Sequence, residues 1–325
     1  MEDDRLKILY IAGLGRSGST ILGAILGQIE GFFFVGELRA IGEPGRLSQR
    51  LCGCRARLSE CGFWKRVLHA TDGEDGDAGL SVMRRARQLT RTFHLPLMFL
   101  PGGTRWLATR LGRDRDHLAA LYGTIRRHAG CRIIIDSSKM PIYGALLGQV
   151  PGLEVYTILL VRDSRAVAYS WSKKEPVVDG PPGQLRKRYT PAGSAIRWAL
   201  WNLAGEALAR STPGRSMLLR YEDFIDAPHE AVDRILTFLD ENTSASPVRE
   251  RTLELRPHHT VGGSRVRFHV GPVELRLDNE WAERMARAHR RLVTILTWAG
   301  LKRYGYPTNG IGKTGLVRPR GILYS

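Results

Sequence analysis

The stretch from Ile8 to Leu26, ILYIAGLGRSGSTILGAIL, constrains the fold of this chain more than any other. An apolar run ends in glycines and hydroxyl residues and then resumes at helical spacing, the sequence form of a strand, a phosphate-binding loop and a helix. Set against the nucleotide-binding pattern G-x-x-x-x-G-K-[ST], Gly13, Gly18 and Thr20 match, while Ser19 stands where the lysine belongs. Such a loop, here Gly15 to Thr20, offers successive backbone N–H groups to an anion at a helix start. Ser17, Ser19 and Thr20 add hydroxyl donors, and Arg16 adds a fixed charge inside the loop. Without the lysine it is poorly matched to the terminal phosphates of a nucleoside triphosphate. A terminal group with one negative charge fewer, such as a sulfonyl, fits better.

Four further apolar runs, GFFFVGE, RIIIDSS, VYTILLVRD and SMLLRYED, are short, continuous and closed by polar or glycine residues, as buried parallel strands are. Helix-period stretches separate them. The alternation predicts an α/β, P-loop-like three-layer fold with a mostly parallel central sheet, helices on both faces and a helical insertion. One domain is expected over residues 1–305, with the insertion at 63–130 covering one end of the sheet and an extended tail at 306–325. Within the insertion, TDGEDGDAG reads as a loop, and TFHLPLMFLP as core or lid packing or, alternatively, a lipophilic acceptor site. A second long loop, KKEPVVDGPPGQLRKRYTP, is expected to be mobile and near the site.

Composition narrows the partners. A formal net charge of +17 admits a polyanionic ligand, nucleic acid, an anionic membrane surface or simply a solvated basic surface. No run approaches the ~18 apolar residues that span a bilayer. The acidic start MEDDRLK leads straight into the first strand with no room for a signal peptide, so a cytoplasmic protein is expected. Three of the four cysteines, Cys52, Cys54 and Cys61, cluster in LCGCRARLSECGFW. They read as reduced thiols, a local disulfide, or a zinc site that His69 or Cys131 would have to complete.

The motif RSGST, Arg16 to Thr20, and the strand-to-helix segment LLVRDSRAVAYSW together resemble the sulfotransferase superfamily, notably its carbohydrate, tyrosyl-protein and bacterial branches. VGEL, DSSKMP, RWALWN, RYEDF and HHTVGGSRVRF also look like the bacterial branch, so the resemblance runs from Ile8 to about Trp281. Ser164 stands where the family's second motif has proline. The resemblance implies a donor, 3′-phosphoadenosine 5′-phosphosulfate, with its phosphosulfate in the first loop and its 3′-phosphate on Arg162 and Ser170. It implies that the loop bearing Ser264, Arg265 and Arg267 closes over the nucleotide. It also implies that Lys139, a scarce lysine among 49 basic residues, stabilises charge on the leaving group, with Ser137 and Ser138 orienting it.

Sulfonyl transfer to a hydroxyl needs a base, and positive charge near the leaving phosphate, but demands no metal. Glu37 is the candidate base, at the end of a strand expected beside the first. Glu43 is its rival, and a helix-capping or arginine-paired role the structural alternative. Arg16, Glu37 and Lys139 are thus the expected catalytic set, acting on a small-molecule, glycolipid or carbohydrate acceptor. Peripheral membrane contact is compatible with this set, and nucleic acid is not an expected partner. His258 and His259 read as loop packing, Trp198 and Trp201 as core anchors. Two rivals stand beside this reading: a P-loop kinase or NTPase with Asp136 holding magnesium, and a basic nucleic-acid-binding protein.

Overall fold

Unbroken β-branched and aliphatic runs become five strands: β1 (Leu6–Ala12), β2 (Phe32–Gly36), β3 (Ile133–Lys139), β4 (Leu153–Val161) and β5 (Ser216–Arg220). In the computed structural model, which describes residues 5–72, 78–241, 247–248 and 251–308, they pair in parallel in the order β2-β3-β1-β4-β5. Successive side chains of β1 face opposite cores: Ile8 and Tyr10 one, Leu9 and Ile11 the other. Both faces must therefore be covered by helices, which is why the strands are apolar throughout rather than alternating.

On one face lie α1 (Ser19–Leu26), α10 (Tyr221–Asp226) and α11 (Pro228–Phe238). Between β2 and β3 the chain makes a 3₁₀ turn (Leu38–Gly42), a single turn α2 (Arg46–Gln49) and then α3 (Gly62–Asp72), α4 (Ala78–Leu89), α5 (Gly103–Leu111) and α6 (Asp114–Ala129). The apolar sides of α3 to α6 join the core beneath Ile8, Tyr10 and Ile134, together with α7 (Pro141–Leu147) and α9 (Pro191–Ser211). Both tryptophans of α9, Trp198 and Trp201, are buried in this core. The 3₁₀ segment Thr92–Phe99 buries Leu95 but leaves Phe93 and Phe99 exposed.

The helix α8 (Ser164–Ser172) follows β4 directly, with the Asp163 carboxylate accepting the Arg165 backbone N–H. Ser164 gains a use that proline could not have, a hydroxyl contact of 2.7 Å to Thr297. Thr297 belongs to α13 (Arg287–Arg303), which follows the short α12 (Glu280–Arg284). A two-stranded antiparallel hairpin, β6 (Thr252–Leu255) and β7 (Gly271–Glu274), was not anticipated: its strands are too short and polar to stand out.

Two expectations need adjustment. β2 does not neighbour β1; β3 lies between them, because the long helical crossover returns the chain to the inside of the sheet. Of the expected tail, residues 309–325 lie outside the described residues, but Tyr306 is buried and its hydroxyl donates to Glu222 at 2.6 Å. The middle of TDGEDGDAG, residues 73–77, also lies outside them. Among the described residues no helix is long and apolar enough to cross a membrane.

Candidate active site

The sheet topology decides where chemistry can occur. The chain leaves β1 toward β2 on one side, then crosses back to β4 on the other, so the crevice beyond the carboxyl ends of β1 and β4 is the switch point of the sheet. Ala12 pairs with Leu159, which puts the loop after β1 beside Arg162.

The loop needs its glycines. Gly13 has φ of 139°, and a Cβ there would lie 2.4 Å from the Leu160 carbonyl oxygen. Gly18, at φ of 89°, caps α1, and a Cβ would lie 2.3 Å from the Tyr221 ring. Arg16 itself holds a left-handed φ of 80°, a conformation costly for a residue with a Cβ and concentrated at functional sites. Its Nε donates to the Ser170 hydroxyl at 2.7 Å, and its Nη2 lies 3.6 Å from Glu175. Burial, reinforced by Arg186 and Arg162 and opposed by Glu175, pushes the Arg16 pKa down to about 10. The guanidinium stays charged at neutral pH.

Arg162 ends β4 with its guanidinium 4.5 Å from the centre of the Tyr221 ring. Nη1 donates to the Arg16 carbonyl at 3.1 Å and Nη2 to Asp278, while its buried Nε has no hydrogen-bond partner among the described residues. The Trp198 indole donates to the Arg162 carbonyl at 2.8 Å, so a core tryptophan also fixes the strand end.

Across the crevice, β2 ends at Gly36, and the next backbone N–H, that of Glu37, donates to the Val261 carbonyl. The Glu37 carboxylate accepts a hydrogen bond from Lys139 at the end of β3, and Lys139 is held at a left-handed φ of 65°. Burial raises the Glu37 pKa, but the Lys139 charge and hydrogen bond, with Arg46 and Arg267 farther off, outweigh it and leave the group below the usual glutamate range. Neither neighbouring serine orients Lys139: Ser138 donates to Asp136 and accepts from the Arg39 N–H, and the buried Ser137 hydroxyl has no hydrogen-bond partner among the described residues. Glu43 is divided between Arg87 at 3.0 Å and Arg46 at 3.2 Å.

The segment 261–267 closes the remaining side. Gly262 and Gly263, at φ of 71° and 116°, bring backbone against Glu37 and Thr20, and the Ser264 N–H donates to the Thr20 hydroxyl at 3.1 Å. Arg267 is 2% exposed; its Nη2 bonds Asp179 at 2.6 Å, whereas its buried Nε and Nη1 have no hydrogen-bond partner among the described residues. Asp179 sits in the 173–190 loop, also accepts the Leu51 N–H, and so ties that loop over the crevice.

These elements enclose one cavity of about 730 Å³, lined by Gly15, Arg16, Gly18, Ser19, Thr20, Glu37, Lys139, Arg162, Ser170, Ser264, Arg265 and Arg267. Of the expected catalytic and donor-binding set, Ser17 alone is missing from its wall, buried at 3% exposure. Nine arginines and lysines face five carboxylates around the wall, an excess that suits a polyanion. The sequence reading missed Tyr221, on which Gly18 and Arg162 both pack, and Trp171, whose indole donates to the Gly15 carbonyl at 3.2 Å. It missed Asp179 and Asp278 as well, because acidic partners of distant arginines carry no local signal.

Asp136 does not reach the cavity. Fully buried, it accepts from Tyr122 at 2.6 Å and from Ser138, so it cannot hold a metal against a ligand there, as the kinase reading requires. The TFHLPLMFLP segment contributes nothing to the wall either.

A parallel α/β sheet with a glycine-rich loop between its first strand and first helix, and an arginine at the switch point, defines a P-loop-like fold. The sulfotransferase family profile matches residues 9–245, and the chain belongs to that family. No significant match exists among curated proteins. Solved structures similar to this one include the sulfotransferase domain from the curacin biosynthetic pathway, at 16% identity over 93% of this chain and 98% of that one, with a TM-score of 0.48. The sulfotransferase domain of the Synechococcus PCC 7002 olefin synthase is 18% identical over 93% and 95%, TM-score 0.42. Sulfotransferase STF9 from Mycobacterium avium is 14% identical over 93% and 78%, TM-score 0.48.

Proposed function

We propose that this protein transfers a sulfonyl group from 3′-phosphoadenosine 5′-phosphosulfate to a hydroxyl of a small-molecule, glycolipid or carbohydrate acceptor. The observation that carries the reading is that Arg16 and Arg162, 146 residues apart, open into one cavity, Arg162 donating to the Arg16 carbonyl and the Arg16 Nε to the Ser170 hydroxyl. The buried Arg162 and Arg267 nitrogens that lack a hydrogen-bond partner among the described residues support a fit to a nucleotide with anionic groups at two ends.

In this reading the loop Gly15 to Thr20 holds the 5′ end, Arg162 and Ser170 hold the 3′-phosphate, and Ser264, Arg265 and Arg267 close over the nucleotide. The bound donor supplies the sulfonyl group, which passes in line to the acceptor oxygen. Glu37, ionised at neutral pH, takes the acceptor proton, a role favoured over Glu43 because Glu37 pairs with Lys139 whereas Glu43 is held between two arginines. A positioned base of this kind contributes ~10²–10⁴ in rate. Lys139 and Arg16 counter the charge that builds on the leaving phosphate. A cytoplasmic site of action belongs to the same proposal.

The test is incubation with donor radiolabelled in the sulfonyl group, metabolite extracts and a magnesium chelator. Label transferred to an organic acceptor is expected. ATP hydrolysis that requires magnesium, with no label transferred, overturns the proposal in favour of an NTPase.

A further inference from the structure

The three clustered cysteines acquire a partner that lies some 200 residues away. Cys52 and Cys54 lie on a tight turn in which the Cys52 N–H donates to the Ala56 carbonyl at 2.8 Å and the Arg55 N–H to the Cys52 carbonyl at 2.9 Å. Arg55 takes a left-handed φ of 70° to complete it. Cys61 immediately precedes α3. Facing them is the imidazole of His259, whose ring stacks on Phe63 at 5.1 Å and whose carbonyl accepts from the Trp64 indole at 3.1 Å. The sequence pointed to His69 or Cys131 as fourth ligand, but His69 is exposed on α3 and Cys131 is buried at the far end of α6.

The geometry is that of a coordination shell. The four ligand atoms lie within 4.8 Å of one another. The Cys54 and Cys61 sulfurs are 3.7 Å apart, and His259 Nδ1 is 3.3 Å from the Cys61 sulfur and 3.8 Å from that of Cys52. Tetrahedral zinc, with Zn–S about 2.3 Å and Zn–N about 2.0–2.1 Å, holds its sulfurs about 3.8 Å apart and sulfur from nitrogen by about 3.6 Å. The cysteines are not disulfide-bonded, and the Cys54 to Cys61 spacing of 3.7 Å far exceeds an S–S bond of about 2.05 Å.

We propose that Cys52, Cys54, Cys61 and His259 bind one zinc ion, a closed structural site that fastens the segment 258–267 to the cysteine turn. The site has four protein ligands and none left for substrate, and none of the four lines the cavity. Its position explains what it is for. Two residues beyond His259, Val261 accepts the Glu37 N–H and donates to Val35; three beyond that, Ser264 bonds Thr20; and Arg267 follows. The Gly53 N–H donates to Thr260 at 3.1 Å, and a Cβ on Gly53 would lie 2.5 Å from the His258 carbonyl, so turn and segment are already in backbone contact. Zinc would lock this contact and hold Glu37 and Arg267 in register. On binding, the three thiols lose their protons to solvent, and the imidazole binds through Nδ1 in its neutral form.

The test uses the purified full-length wild-type protein. Mass-spectrometric elemental analysis should find about one zinc per chain after gel filtration. Replacing zinc by cobalt should give sulfur-to-cobalt charge-transfer bands in the near ultraviolet and the intense visible bands of a tetrahedral site. Cys54→Ala should lower retained zinc at least ~10-fold; should that variant not fold, the wild-type stoichiometry and cobalt spectrum still decide. Wild-type protein free of zinc with all four thiols reactive, a disulfide among the cluster, or iron in place of zinc each overturns the proposal.

Discussion

Replacing Glu37 with glutamine tests the proposed base apart from everything else the residue does. Glutamine has the same shape, its side-chain oxygen can still accept from Lys139, and the backbone bond to Val261 is untouched. What disappears is the negative charge and the ability to take a proton. The Lys139 ammonium holds this carboxyl below the usual glutamate range although burial opposes it, so the wild-type carboxylate is ionised throughout neutral pH. Its loss should lower kcat by ~10²–10⁴, equivalent to about 2.7–5.5 kcal/mol of barrier. Affinity for 3′-phosphoadenosine 5′-phosphate, measured by calorimetry, should change little, because no donor contact is removed. Wild-type kcat should fall as pH drops through the depressed Glu37 pKa, and that acidic limb should vanish in the variant. Single-turnover transfer of labelled sulfonyl provides kcat. If kcat and nucleotide affinity fall together, the Glu37 carboxylate serves the structure through its pairing with Lys139 at the end of β3; if neither changes, the base is elsewhere and Glu43 is next.

Lys139→Met should slow transfer at least ~10-fold and move the acidic limb of the pH–rate profile upward, since burial of Glu37 then acts without its main opposing charge; an unchanged maximal rate removes Lys139 from the reaction. Arg162→Ala should weaken 3′-phosphoadenosine 5′-phosphate by about 10- to 150-fold, the loss of about 1.5–3 kcal/mol in charge-assisted bonding. Adenosine 5′-phosphate should bind the wild type and this variant alike, and calorimetry with both nucleotides reads the difference. Asp136, raised from 3.8 to about 6 by burial against its hydrogen bonds, keeps its proton longer in the folded than in the unfolded chain. Stability should therefore fall as pH rises from 4 to 6, by up to about 3 kcal/mol from this group, and denaturant titrations of Asp136→Asn should lack that slope.

What the sequence made legible follows from what is local in it. All five strands of the parallel sheet carry their signal in contiguous apolar runs, and the loop after β1 carries its own in glycines whose positive φ and close contacts leave no room for a side chain. Arg162 and Ser170 were legible through a motif on one strand–helix unit. The partners were not. Asp179 serves Arg267 across 88 residues, and Asp278 serves Arg162 across 116. His259 reaches the cysteines by way of a segment that crosses the sheet edge, so the nearer His69 drew the eye instead. The place of β3 between β2 and β1 is set by how a long helical crossover packs, which no run within the strand encodes. Ser17 illustrates the reverse limit: the loop motif names it, yet the turn buries it.

The central claim is that one molecule occupies both anion cradles at once. A crystal structure with 3′-phosphoadenosine 5′-phosphate tests it most directly. The account predicts the 5′-phosphate at the N–H groups of residues 16–20 and the 3′-phosphate on Arg162 and Ser170, within the same cavity. A nucleotide that leaves Arg162 and Ser170 without contact, or binds outside this cavity, would contradict it.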